Sequence, residues 1–210
     1  GGLLSVTDRD APFIASPERL SAAAIRECGR RGYSGVLLDF EQSPTPDRLA
    51  FAETLARRLA PRPVYVPESY AAASGTVSLV CTAVSGGSFL QYLQGAAAER
   101  AGAGKLALDV QRLRMDFTLP ARSGEGRPLS ASEFQALLDQ ESPSVFFSQD
   151  LCARYFTYTR EGETHFVLFD DADTLQQKLQ TGTRMGFSAA FLMYPEVRDL
   201  LPRLFPARQT

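Results

Sequence analysis

Short, continuously apolar runs recur along this chain, each separated from the next by a helix-patterned segment, and that alternation leaves few folds open. The first run is Leu3-Leu4-Ser5-Val6, followed by a helix with Ser16 as N-cap, Pro17 at its first position and Leu20, Ala24 and Cys28 on one face, closing near Gly32. Gly35-Val36-Leu37-Leu38-Asp39-Phe40 comes next, then a helix opened by Thr45-Pro46 in which Leu49, Ala52, Leu55, Ala56 and Leu59 share a stripe. Pro61 and Pro63 end it and lead into a strand at 64–66. Further strands are expected at 77–82, 105–110, 145–147 and 189–193, and helices at 89–100 and 196–204. The capping box of Ser130 and Glu133 opens a helix containing Phe134, Leu137 and Leu138, and another runs over Leu175, Lys178 and Leu179 to Gly186. Two apolar runs, 155–159 and 165–169, flank Arg160-Glu161-Gly162 and read as a hairpin. Strands this apolar and this regularly interleaved with helices belong to a parallel sheet covered by helices. The sequence therefore predicts one α/β domain over residues 1–210, with 122–128 as its most flexible loop.

Composition removes several function classes. Twenty-two basic against 24 acidic residues give a net charge of −2, with no basic excess to meet a phosphate backbone, so nucleic acid is not an expected partner. No run approaches the roughly 20 apolar residues that span a bilayer. One histidine, His165, and three scattered cysteines (Cys28, Cys81, Cys152) cannot make a His/Cys zinc site, and no metal or other cofactor is expected. The odd cysteine count gives no disulfide framework, so buried thiols are the expectation. Tryptophan is absent. The chain opens on Gly1-Gly2 with no visible signal peptide, which leaves its compartment unknown.

The strand ending in Asp39-Phe40-Glu41 carries the most chemical information. Period-two geometry puts Asp39 and Glu41 on one face with Leu37 behind them and Phe40 on the other. Carboxylates at a strand C-terminus occupy the place where α/β barrels and open sheets put their chemistry, and two acids at close range can split proton donor from base. From spacing alone, the alternative reading of a turn-capping Asp39 and a solvated Glu41 is favoured.

Gly35-Val36-Leu37-Leu38-Asp39-Phe40-Glu41 resembles the fourth-strand signature of glycoside hydrolase family 18, Asp-Gly-x-Asp-x-Asp-x-Glu, a family that includes chitinases and spore-cortex peptidoglycan hydrolases. A second segment, Phe169-Asp170-Asp171-Ala172-Asp173-Thr174-Leu175 with Lys178 and Gly186, is similar to the approach to that family's last barrel strand. The aromatic hairpin before it resembles that of the spore-cortex branch, and order and spacing agree over roughly residues 3–194. The resemblance implies a (β/α) TIM-type barrel of about six to eight strands, reduced or N-terminally truncated, since one strand precedes Glu41 where the family has three and such barrels run to about 250 residues. An incomplete barrel would leave strand edges to cover, so a homo-oligomer is a possible consequence.

It further implies a glycosidase acting on N-acetylglucosamine-containing glycans of chitin or peptidoglycan type. Glu41 would be the general acid, and Asp39 would orient the substrate's acetamido group, whose carbonyl attacks the anomeric carbon. The setting implied is extracytoplasmic or the spore or cell envelope. Several positions depart from the pattern. Ser34 and Leu37 replace its first two acids, Ala83 and Val84 fall where a Tyr-Asp pair holds the acetamido group, and Met193 aligns with the tryptophan floor under the sugar. The same fold without hydrolysis, a glycan-binding or scaffold protein, is the alternative reading.

Other candidates are weaker. Glu68 and Tyr70 follow the 64–66 strand and could line the same rim, Glu68 even serving with Glu41 as a conventional carboxyl pair. Asp109, Gln111 and Arg114 sit at another strand end, where they would bind sugar hydroxyls or simply bond within the fold. Ser85-Gly86-Gly87-Ser88 suits a tight turn as well as an anion, and lacks the Lys of a P-loop. Asp170 and Asp171 precede a helix that they would cap. His165 has no G-x-S-x-G elbow to serve.

Overall fold

The computed structural model describes residues 1–10, 16–100, 105–120 and 126–206. In chain order its elements are β1 (Leu3–Thr7), α1 (Pro17–Arg31), β2 (Gly35–Asp39), α2 (Pro46–Leu59), β3 (Val64–Val66), a 3₁₀ turn (Glu68–Tyr70), β4 (Val77–Cys81), α3 (Phe89–Glu99) and β5 (Lys105–Val110). There follow β6 (Arg114–Leu119), β7 (Arg127–Pro128), α4 (Ala131–Glu141), β8 (Phe146–Ser148), β9 (Ala153–Arg160), β10 (Glu163–Phe169), α5 (Ala172–Arg184), β11 (Ala190–Leu192), α6 (Tyr194–Val197) and α7 (Leu201–Leu204). A six-stranded sheet runs β1-β2-β3-β4-β5-β11, the parallel sheet of a reduced (β/α) barrel. A second sheet, β7-β6-β10-β9-β8, is antiparallel. Where the sequence reads as one domain, the chain gathers into two compact units.

The first unit comprises Gly1–Val80, Gln94–Leu108 and Gly186–Ala189. Strand β2 pairs in parallel with β1, Leu3 opposite Gly35 through Thr7 opposite Asp39, and with β3 through Val36 and Leu37. Val36, Leu38 and Phe40 alternate onto the face packed against Ala24 and Cys28 of α1 and Phe51, Ala52 and Leu55 of α2. That leaves Leu37 and Asp39 on the opposite face. Both flanking helices begin as the sequence predicts, with Ser16 and Thr45 accepting from the Arg19 and Arg48 amides and a proline in the first turn. Gly32 closes α1 at φ 68°, in the left-handed region that favours glycine. Beyond β5, the Ser188 amide donates to Leu106 O and the Leu108 amide to Ala189 O, laying the approach to β11 along that strand.

The second unit holds Cys81–Leu93, Asp109–Met185 and Ala190–Thr210. Its hairpin is the one expected: Arg160 pairs with Glu163 across a two-residue turn in which Glu161 and Gly162 both have positive φ, the twist that tight hairpins require. One face of this sheet packs Phe156, Tyr158, Val167 and Phe169 with Leu129 and Leu137. The other carries Leu113, Phe117, Ala153 and Leu168 with Tyr155 and Phe166 against them.

Two expectations need correcting. Arg114, read with Asp109 and Gln111 as a polar cluster at a strand end, opens a further strand, β6, which lies between β7 and β10; its buried Asp116 is satisfied from within the sheet, where Tyr158 Oη donates to its Oδ2 at 2.8 Å and His165 Nδ1 lies 3.0 Å from its Oδ1. The single helix expected over 196–204 is two short ones, broken ahead of Pro202, which has no N–H to continue the first. Of the loop expected at 122–128, residues 122–125 lie outside the described residues, and Arg127–Pro128 pair with β6. None of the three cysteines forms a disulfide; Cys28 and Cys152 are buried and Cys81 is half-buried.

Gly35 tests the close approach of β2 and the segment before β3. A Cβ there would lie 2.6 Å from Pro63 O and 3.1 Å from Leu3 Cδ2, against backbone that also accepts the Val36 amide. Gly35→Ala is expected to lower stability by about 1–3 kcal/mol in urea unfolding; an unchanged midpoint would show that the strands part freely.

Candidate functional site

The C-terminal ends of β1 and β2 are joined by a buried polar network. Asp8, the first residue after β1, and Arg48 of α2 form an ion pair at 3.1 Å with side chains 2% and 3% exposed. The other Asp8 oxygen accepts the Glu41 amide at 2.9 Å, and its carbonyl accepts Gln42 Nε2 at 2.9 Å. Arg48 Nη2 donates to Gln42 Oε1 at 2.7 Å, and Tyr70 Oη donates to Gln42 O at 2.8 Å. Four of these bonds, from Asp8, Arg48 and Tyr70, end on Glu41 and Gln42, so the segment just beyond β2 is held by three residues.

The side chains at this end project outward. Asp39 is exposed and faces the Thr7 position of β1 across the ladder. Glu41 is 53% exposed, and its Oε1 accepts from both Nε (3.1 Å) and Nη2 of Arg9, itself 68% exposed. That hydrogen bond first, then the Glu41 charge and a smaller push from Asp39, holds the Arg9 guanidinium above its ordinary value. The site is therefore a solvent-facing array of Arg9, Asp39 and Glu41 on a rigid base. Chemically it can donate and accept hydrogen bonds to a polyhydroxylated ligand, but one oxygen of its glutamate is already committed.

The remaining sequence candidates are dispersed. Tyr70 belongs to the core of the first unit: its ring meets Phe40 edge-on at 5.4 Å, no surface is exposed, and burial pushes its phenol up. Glu68 lines a cavity beside β4 and α3. In the second unit Gln111 Nε2 donates to Asp109 Oδ2 at 2.7 Å, and Met193, at the start of α6, is exposed. Asp171 caps α5 as expected, in a capping box with Thr174. Asp170 does more. It accepts from Lys178 Nζ (2.8 Å), Thr174 Oγ1 (2.8 Å) and the Leu113 amide (3.0 Å), with Lys178 also donating to Thr82 O at 3.1 Å, a fully buried and mutually satisfied pair. Among the described residues no group of three His, Cys, Asp or Glu side chains could hold a metal ion, and no helix is long and apolar enough to cross a membrane.

Sequence reasoning missed Asp8, Arg48 and Asp116. A carboxylate directly after the first strand was a usable signal for Asp8. Nothing local marks Arg48, which reads as an ordinary charge on the solvent side of α2.

The two arginine–carboxylate pairs should behave oppositely. Asp8→Ala strands a buried guanidinium and is expected to cost about 3–5 kcal/mol in chemical unfolding, whereas Arg9→Ala, at an exposed pair, should change stability by no more than about 1 kcal/mol. Equal effects would contradict the distinction. In the second unit, burial and the bond to Asp116 push Tyr158 up to about 12, against about 10 for an unfolded tyrosine. The folded state thus holds this proton more tightly. Its contribution is complete below about pH 10 and is lost as pH rises toward 12. Tyr158→Phe should remove that loss from the alkaline stability profile; an identical profile in both proteins would rule it out.

No family model matches this sequence, and no curated protein matches it. Solved structures do. Against ydhD of Bacillus subtilis, described as a sporulation-specific glycosylase, the TM-score is 0.66 at 16% identity, covering 90% of this chain and 78% of that one. The spore cortex-lytic enzyme SleL of Bacillus megaterium gives 0.58 at 16% identity, over 90% of this chain and 54% of that one, so the present sequence spans about half of it. A class V chitinase from Nicotiana tobaccum, in complex with NAG4, gives 0.57 at 11% identity, over 90% and 73%. At such identities the likeness speaks for the fold alone, and the fold is that of the chitinase-like and spore-cortex-lytic glycosidases.

Proposed function

We propose that this chain recognises N-acetylglucosamine-containing glycans at the β1–β2 strand end and does not cleave them. The observation that carries this reading is the clamp of Arg9 on Glu41 Oε1. A general acid must present a proton to the leaving oxygen within hydrogen-bond reach, and here a cation donates into the carboxylate instead. Leu37, next along the same strand face, can pass no proton to Asp39, and Ala83 and Val84 offer no hydroxyl or carboxylate to hold an acetamido group. What remains suits binding. Asp39 and the free oxygen of Glu41 accept from sugar hydroxyls or an amide N–H, Arg9 donates, and the Asp8 network keeps the array in place. The glycan class comes from the fold likeness to chitinases and spore-cortex-lytic enzymes.

A second reading has one observation in its favour: Asp39 and Glu41 both leave the end of β2 exposed. On it the chain is a hydrolase with Glu41 as acid and Asp39 orienting the acetamido group, Arg9 moving aside when substrate arrives.

Calorimetric titration with chito-oligosaccharides and peptidoglycan fragments, with chromatography of the mixture afterwards, separates the two. Wild type is expected to bind saturably and release no sugar, Glu41→Gln to behave likewise, and Asp39→Ala to bind roughly tenfold more weakly. Sugar release by wild type that vanishes in Glu41→Gln would establish the hydrolase instead. Absence of both binding and release would remove both readings.

A further inference from the structure

A cavity of about 250 Å³ lies in the first unit, none of its lining residues belonging to the Arg9–Asp39–Glu41 array, and its wall contains a buried cation, Arg100, that forms no ion pair among the described residues. Arg100 follows α3 and is only 3% exposed. One end of its guanidinium is anchored: Nη2 donates to Thr76 O at 2.9 Å, Thr76 Oγ1 at 2.8 Å and Ala73 O at 3.3 Å. The other two nitrogens, Nε and Nη1, are buried without a hydrogen-bond partner. Ser78 Oγ on β4, in a residue 1% exposed, is the third buried polar atom left without one. Both residues line the same cavity.

Buried N–H groups and hydroxyls are nearly always paired, and a buried charge is costly unless something of opposite sign meets it. Burial pulls the Arg100 guanidinium below its ordinary value, and no carboxylate offsets it. Three orphaned groups, two of them obligate donors and the third able to donate, therefore belong to residues that line one partly open cavity. The rest of the wall is small and apolar: Ala71, Ala72, Val80, Ala96 and Leu106. Glu68 and Glu99, exposed residues that also line the cavity, add negative charge to its border. That arrangement accepts one negative charge at the inner end, tolerates no second, and offers an apolar surface to whatever is attached.

We propose that this cavity is a binding site for a small organic monocarboxylate, its head on Arg100 and Ser78 and its short hydrocarbon body against the alanine-rich wall. The site stands independently of the glycan reading, since no residue of the Arg9–Asp39–Glu41 array takes part in it.

Butyrate, its neutral isostere butyramide, and inorganic phosphate serve as probes, followed by thermal shift and by the amide resonances of Ser78, Ala96 and Leu106. Butyrate is expected to shift both saturably, butyramide to do neither, and phosphate to act at least about tenfold more weakly because Glu68 and Glu99 oppose a second charge. Replacing Arg100 would also break its bonds to the Ala73–Thr76 turn, so the informative variants leave it intact. Ser78→Ala should weaken butyrate binding roughly three- to tenfold. Ala96→Leu, which fills the cavity, should abolish binding while the circular dichroism spectrum is retained. No saturable response of folded wild type to butyrate, an equal response to butyramide or phosphate, or undiminished binding by folded Ala96→Leu would each overturn the proposal.

Discussion

The buried pairing of Asp8 with Arg48 is the interaction on which the strand-end site depends. Two ionised side chains removed from water are costly to bury, and they persist where each remaining lone pair and N–H is used. Here they are used well. Asp8 takes the Glu41 amide and the Arg48 guanidinium, Arg48 reaches on to Gln42, and Tyr70 closes the group from below. Loops beyond strand ends are ordinarily the mobile part of an α/β fold. This one is tied to two helical elements and to its neighbouring strand, which gives Asp39 and Glu41 a fixed platform without enclosing them.

A rigid platform and a catalytic platform are different things. Catalysis by a carboxylic acid needs an environment that keeps a proton on the oxygen until it is wanted, and burial or a neighbouring negative group usually supplies it. At the end of β2 Glu41 shares its face with Asp39, but the group bonded to its carboxylate is a guanidinium. Arg9 supplies the wrong charge for a proton donor and a suitable donor set for a hydroxylated ligand. On the binding reading proposed above, the chain keeps the scaffold of the glycosidases it resembles in fold while the groups at the strand end serve to bind and not to cleave.

Much of the first unit was legible in the sequence because its signals are local. The proline-started helices, the apolar alternation of 35–40 and the Thr45 cap each depend on a few adjacent residues, and each appears where it is read. The β6–β10–β9 sheet was less legible, although its hairpin was plain. Asp116 looks like a strand breaker until Tyr158 and His165, both distant in sequence, are seen to bond it. The strand-end carboxylates were found by pattern, but their partners were not: Arg9, Arg48 and Asp8 become a network only through pairings across 30 to 40 positions. Tyr70 illustrates the opposite error. An aromatic residue after a strand reads as rim surface, and it was instead drawn under Phe40 because its hydroxyl finds the Gln42 carbonyl.

The central claim, that Glu41 is a held ligand-binding group and not a proton donor, is tested most directly at the two side chains concerned. Nuclear magnetic resonance can follow the Arg9 Nε–H and the Glu41 amide while a chito-oligosaccharide is added, with the anomeric signals of the sugar read in the same sample. The expected result is a saturable shift of both protein signals and an unchanged oligosaccharide. New reducing-end signals that grow with time, accompanied by loss of the Arg9 contact, would contradict it.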